Sequence, residues 1–127
     1  MAADANGGAV VVGYFEGSVD FGGGAVTSAG GQDIFVVKVD ATGAHQWSAG
    51  YGGGGDQQPQ DVTIDGAGNV IVGGYGEDTF DLGGGDLTSG GFEDAFIAKY
   101  SPAGVHLWSK HSQPPGVHAV YTDTTKA

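Results

Sequence analysis

GGGDLTSGGFEDAFIAKYSPAGVHLWS, residues Gly83 to Ser109, decides the fold, because a close copy of it occurs earlier in the chain. Gly22 to Ser48 reads GGGAVTSAGGQDIFVVKVDATGAHQWS, and 13 of the 27 aligned positions are identical. Trp108 matches Trp47 at an offset of 61 residues, as do the flanking glycines and serines. Self-similarity at this period predicts a repeat architecture, in which a unit needs neighbours to bury its apolar face.

The similarity extends upstream, since Asp4 to Phe21 matches Asp65 to Leu82 at the same offset. QDVTID, Gln60 to Asp65, has no counterpart before Asp4, but HAVYTD, His118 to Asp123, matches it at an offset of 58. The chain is therefore expected to be cut inside a repeat.

We expect one propeller segment over residues 1–127. Its first unit covers about 4–50 and lacks the opening strand, its second covers about 56–111, and a strand at about 117–123 completes a unit of a neighbouring chain.

Each complete unit reads as four short strands separated by turn residues, at 60–64, 70–75, 95–100 and 105–110. Asp65 to Asn69 (DGAGN) and Ser101 to Gly104 (SPAG) have the chemistry of tight turns. No segment shows helical periodicity. Four antiparallel strands per repeat predict an all-β fold, a β-propeller of four-stranded blades. A sandwich would not need two near-copies, and solenoid repeats are usually shorter.

Several motifs carry a family resemblance: the Asp-Gly-x-Gly-Asn turn, Phe/Leu-Gly-Gly-Gly, Thr-Ser-x-Gly, Asp-x-Phe-x-x-Lys and the closing Trp-Ser. With them, Gly68 to Lys110 resembles the bacterial SBBP-type β-propeller repeat. The resemblance covers about Asp4 to Ser109. It implies four-stranded blades in large secreted or cell-surface proteins, and it supplies no catalytic residues to transfer.

Two blades cannot close a ring and would leave apolar faces exposed, so we expect a homo-oligomer with cyclic symmetry. Three chains give six blades, which we favour, and four chains give eight. The C-terminal strand would then be the innermost strand of the neighbour's first blade. The competing interpretation is a fragment that does not assemble uniquely.

Composition excludes several classes of partner. Lysine plus arginine number 4 against 15 acids, a formal net charge of −11, which would repel a nucleic acid. No apolar run approaches the roughly 20 residues that span a membrane. The N-terminus lacks the basic start of a signal peptide, so we expect either a cytoplasmic protein or an export signal outside this sequence. The family resemblance favours the secreted or cell-surface location.

The four histidines divide into two kinds. His45 and His106 are equivalent in the repeats and are expected to be structural. His111 and His118 have no repeat counterparts, and they flank the start of an innermost strand near the expected axis. In a trimer one such histidine becomes three, and three imidazoles plus water form a catalytic zinc site. The simpler alternative is that they are surface histidines on a divergent tail.

A second geometry pairs these two histidines with a carboxylate, Asp56 or Asp61, that would orient a metal-bound hydroxide. This predicts a metal-dependent hydrolase of small phosphate or carboxylate esters. Lys38 and Lys99 are expected to pair with the acids of their own repeats, Asp33 and Asp94 respectively.

Three functions follow from this reading. The first is a non-enzymatic binding or scaffold module. The second is the zinc-type hydrolase. The third is a lectin, since aromatic residues recur by blade and aromatic faces can stack on sugars. Most of these aromatics are expected to be core residues; they are Tyr14, Trp47, Tyr51, Tyr75, Tyr100 and Trp108.

Overall fold

A computed structural model describes residues 1–4, 6–28, 30–88 and 94–111. These residues form an all-β architecture of curled antiparallel sheets, a propeller-like half-barrel without helices in the described part of the chain. The strands are β1 (Ala2–Ala3), β2 (Ala9–Phe15), β3 (Ser18–Asp20), β4 (Ala25–Thr27), β5 (Asp33–Val39), β6 (His45–Gly53), β7 (Gln57–Ile64), β8 (Val70–Gly76), β9 (Thr79–Asp81), β10 (Asp86–Thr88), β11 (Asp94–Tyr100) and β12 (His106–His111).

The second repeat forms a four-stranded sheet in the order β12-β11-β8-β7, with every neighbouring pair antiparallel. β7 runs along β8 from Gln57, opposite Gly76, to Ile64, opposite Val70. Its register shifts between Pro59 and Asp61, a β-bulge. The four strands predicted for this repeat are confirmed, and β7 begins three residues earlier than expected.

The first repeat has the same order, β1-β2-β5-β6, but its opening strand is almost missing. β1 is two residues long, and Ala2 pairs with Val10. The equivalent pair in the second repeat, 61 residues on, is Thr63 with Ile71. β1 is therefore the last two residues of an opening strand.

A short hairpin links the repeats. β9 and β10 pair with each other, and β9 also pairs with the end of β6 through Gly52–Asp81 and Gly53–Phe80. One six-stranded sheet, in the order β1-β2-β5-β6-β9-β10, therefore contains strands of both repeats. The equivalent hairpin of the first repeat, β3–β4, forms a separate two-stranded sheet among the described residues.

The core lies between the repeats. Alternation along each strand sends one set of side chains into it, so that Val10 is fully buried while Val11 next to it is 36% exposed. The core cluster consists of Val10, Ile34, Val36, Val62, Val70, Val72, Phe80, Leu82, Phe96, Ala98 and Tyr100. Among the residues that the structure describes, there is no helical segment with the length and apolar character of a membrane span.

Turns of one design connect the strands. In each, a side-chain oxygen accepts the backbone N–H groups two and four residues later, as Asp65 does from Ala67 and Asn69 at 2.9 Å each. The carboxylates of the turns therefore bind their own backbone, and the glycine-rich runs donate N–H groups to Asp20 and Asp81. The acceptors of these turns are Asp4, Asp20, Asp40, Asp65, Asp81 and Ser101.

The lysines correct one expectation. Lys99 Nζ lies 3.2 Å from Asp65 Oδ2, and Lys38 Nζ lies 3.5 Å from the carbonyl oxygen of Pro102. The predicted pairing of Lys38 with Asp33 was wrong, whereas the side chain of Asp94, the predicted partner of Lys99, lies outside the described part of the chain. Five residues along an extended strand span about 16 Å and end on opposite faces, so Asp33 cannot reach Lys38. The lysines contact turn residues instead, since Asp65 lies in the turn between β7 and β8 and Pro102 in the turn between β11 and β12.

Asp65 gives the fold an acid-sensitive contact. Partial burial would raise the pKa of its carboxyl, but hydrogen bonds from Asn69, Lys99 and Ala67 outweigh it and lower the pKa to about 2. An unfolded chain protonates this group near its ordinary value, so its stabilising contribution is full above pH 4 and is lost as pH falls toward 2. Asp65→Asn should therefore flatten the pH dependence of the free energy of unfolding between pH 4 and 2.

Urea denaturation at several pH values measures this effect, with Asp86→Asn, at an exposed position in β10, as the control for losing one negative charge. Parallel pH profiles for Asp65→Asn and the unaltered chain would contradict the prediction.

Candidate functional site at the junction of the repeats

The linker between the repeats is fixed by one aspartate. Asp56 Oδ1 accepts the backbone N–H of Gln32 at 2.9 Å, and its carbonyl oxygen accepts the N–H of Glu77 at 3.0 Å. Gln32 precedes β5 in the first repeat, and Glu77 follows β8 in the second. The linker and the connection that follows β8 therefore meet on one side of the molecule.

Gln57 lies directly behind this linker and is fully buried. Its Oε1 accepts the N–H of Gly53 at 2.9 Å, and its Nε2 donates to the carbonyl oxygen of Glu77 at 3.1 Å. Both ends of the amide are satisfied, as a buried polar group requires. The nearby Asp33 carboxyl is also buried, 3% exposed, and lies against Gly52. Gln57 therefore positions the junction, a role that no sequence pattern indicated.

Acidic side chains surround the junction. Asp56 and Asp78 are exposed, and Glu77 is half-buried. Asp78 has a φ of 57°, and its Oδ2 would lie 2.9 Å from a Cβ atom added to Gly55, so the connection folds closely against the linker. Within the ranges the structure describes, no group of three histidine, cysteine or acidic side chains is arranged to hold a metal ion.

The structure separates the site residues expected from the sequence. His111 ends β12, opposite Phe96, and its ring lies edge-on to Phe80 with centroids 6.5 Å apart. Asp61 lies in β7, at the other edge of the same sheet. Three strand spacings of about 4.8 Å place these two strands about 14 Å apart. Asp56 precedes β7 and lies at that far edge too.

The described part of the chain therefore does not bring His111 to Asp61. His118 lies outside the described residues, as does the strand expected at about 117–123. A zinc-type site at His111 and His118 stays a prediction.

The repeat-equivalent histidines are structural, as expected. His45 Nε2 lies 2.9 Å from Ser48 Oγ, and the same contact recurs between His106 and Ser109 at 3.1 Å. Each ring lies under a glycine triplet, where a Cβ atom on the middle glycine, Gly23 in the first repeat, would overlap the imidazole. The sequence pattern His-x-x-Ser, which occurs in both repeats, indicates this contact.

Half of the six recurring aromatics belong to the core or pack against it, fewer than expected; they are Trp47, Tyr51 and Tyr100. Tyr51 stacks on Tyr100 with centroids 5.0 Å apart, and Tyr100 Oη donates to the carbonyl oxygen of Leu82 at 2.7 Å. Burial raises the pKa of Tyr51 to about 12 and also raises the pKa of Tyr100. Tyr14 and Trp108 are the exposed aromatics of the described residues, at 53% and 38%.

A scan against protein-family models and a search of curated proteins both found no match.

Proposed function

We propose that the chain is a two-blade subunit of a homo-oligomeric β-propeller, related to the SBBP-type repeat, that acts as a binding or scaffold module. The open edge of β2 carries this proposal. β7 pairs with β8 over its whole length, whereas β1 pairs only with Ala9 and Val10 of β2. Among the described residues, no strand pairs with Val11 to Phe15 on that side. An open strand edge is a template for pairing with another chain.

The occupant we propose is the C-terminal segment of a second copy. HAVYTD, His118 to Asp123, matches the β7 stretch that fills the same edge in the second repeat. Ala2 and Ala3 already occupy the positions of the last two residues of that strand, so the incoming segment would pair as far as Val120. Exchange of this strand from chain to chain generates a closed ring when the rotation fits.

Six blades from three chains are the assembly we favour, and eight blades from four are the alternative. Each closed ring would join the acidic junctions of its subunits around one axis, where a propeller presents ligands. The role is then recognition or scaffolding by a rigid ring with a strongly negative charge.

The test is native mass spectrometry of the full chain, with a charge placed in the incoming strand. Val120 is equivalent to Val62, which is 5% exposed, so Val120→Asp would bury an unpaired carboxylate and should convert the oligomer to monomer. Thr125→Asp adds the same charge beyond the matched segment and should leave the oligomer intact. A full chain that stays monomeric at micromolar concentrations would overturn the proposal.

A further inference from the structure

A tryptophan that packs on a turn joins the two repeats of one chain, on the side opposite the linker. Trp47, in β6, donates its indole N–H to the carbonyl oxygen of Pro102 at 3.0 Å. Pro102 lies in the turn between β11 and β12, and Gly104 of that turn lies under the ring, where an added Cβ atom would be 2.8 Å from Trp47 Cδ2. The contact thus needs an indole on one repeat and a glycine turn on the next.

Both halves of this contact occur a second time in the chain, but neither has its partner among the described residues. Trp108 is equivalent to Trp47 and is 38% exposed. Gly43 is equivalent to Gly104, and a Cβ atom added there meets nothing within 4 Å. Its turn spans Asp40 to Ala44 and has the same hydrogen bonds as the turn that Trp47 covers.

The surface around the Asp40 to Ala44 turn also has features of a contact surface. An open cavity of about 340 Å³ adjoins it and is lined partly by Lys38, Ala41 and Thr42. On the same repeat, Val11 is 36% exposed, whereas its equivalent Val72 is 1% exposed in the contact between the repeats. The outer side of the first repeat therefore repeats a surface that is buried in the second.

A single chain cannot join these two halves. Trp47 lies on the turn of the repeat that follows its own in the chain, and nothing in the described chain follows the second repeat. Trp108 therefore faces away from the first repeat, while the Gly43 turn faces away from the second. A head-to-tail contact of this kind is heterologous, and it closes when a fixed number of copies completes the ring.

We propose that Trp108 of one copy docks on the Asp40 to Ala44 turn of a second copy, with its indole N–H donating to the carbonyl oxygen of Ala41. Ala41 is the repeat equivalent of Pro102, so the contact continues the one observed within the chain. This inference rests on the oligomer proposed above and names the side chains that fix its geometry.

Dissociation of the full chain measured by sedimentation velocity over a dilution series tests the contact. Trp108→Ala should raise the subunit dissociation constant about 30-fold or more, as expected for a tryptophan anchor at an interface. Trp108→Phe keeps an aromatic ring but lacks the N–H. Its dissociation constant should lie between those of the unaltered chain and Trp108→Ala. Leu107→Ala, 48% exposed on the opposite face of the same strand, is the matched control and should change little.

A second readout uses fluorescence. The chain has two tryptophans, so Trp47→Phe leaves Trp108 as the single reporter. Its emission should shift to longer wavelength as dilution separates the subunits. An oligomer whose dissociation constant is unchanged by Trp108→Ala would overturn the docking contact and leave strand exchange standing. Intact assembly with loss of glycan binding in Trp108→Ala would also overturn it, in favour of sugar stacking.

Discussion

Replacing Gly53 with alanine should destabilise the chain by about 3 kcal/mol, because the new methyl group would meet main-chain atoms that cannot rotate away. A Cβ atom at this position overlaps the carbonyl oxygen of Thr79 and lies 3.0 Å from Phe80 Cα. Gly53 pairs with Phe80 and donates its N–H to Gln57 Oε1. Relief of the overlap would therefore separate the strands that join the two repeats.

The adjacent glycine is a matched control. A Cβ atom on Gly54 meets nothing within 4 Å, so Gly54→Ala adds the same methyl group one residue later without a clash. Urea denaturation of both variants measures the difference, which we expect to be a large fall in midpoint for Gly53→Ala alone. Equal midpoints would mean that β6 and β9 can separate without cost, contrary to the observed pairing.

Truncating Phe80 to alanine should cost about 4 kcal/mol, within the range for buried phenylalanines. Phe80 is 1% exposed, and its ring lies 5.8 Å from that of Phe96 and 6.5 Å from that of His111. It lies against Gly76, where an added Cβ atom would be 2.5 Å from its ring. A cavity at this point would separate the β9–β10 hairpin from the sheet of the second repeat.

Because the free energy of unfolding of a small domain is about 5–15 kcal/mol, this loss is a large share of the total. Val105→Ala, at a position 61% exposed in the hairpin before β12, should change the free energy of unfolding by less than about 0.5 kcal/mol. Thermal and urea unfolding should both rank Phe80→Ala as less stable than Val105→Ala. A Phe80→Ala variant as stable as Val105→Ala would contradict the assignment of Phe80 to the core.

The candidate site was predicted only in part. Asp56 was named from the sequence as a candidate metal-site carboxylate, and in the structure it joins the linker to Gln32 and Glu77. The role of Gln57 was missed, since a glutamine at the start of a strand carries no pattern that marks it as buried. The distance between His111 and Asp61 could not be predicted from the sequence either, because it depends on which strands become the edges of the sheet.

The sequence by itself determined the repeat, the four-strand pattern and the turn chemistry of this protein. These are local properties, fixed by alternation, by β-branched residues and by aspartate and glycine at set spacings. Tertiary structure decided which equivalent residues differ in environment. Val11 and Val72 occupy the same place in their repeats, yet only Val72 has a repeat packed against it, because burial depends on the neighbour and not on the residue.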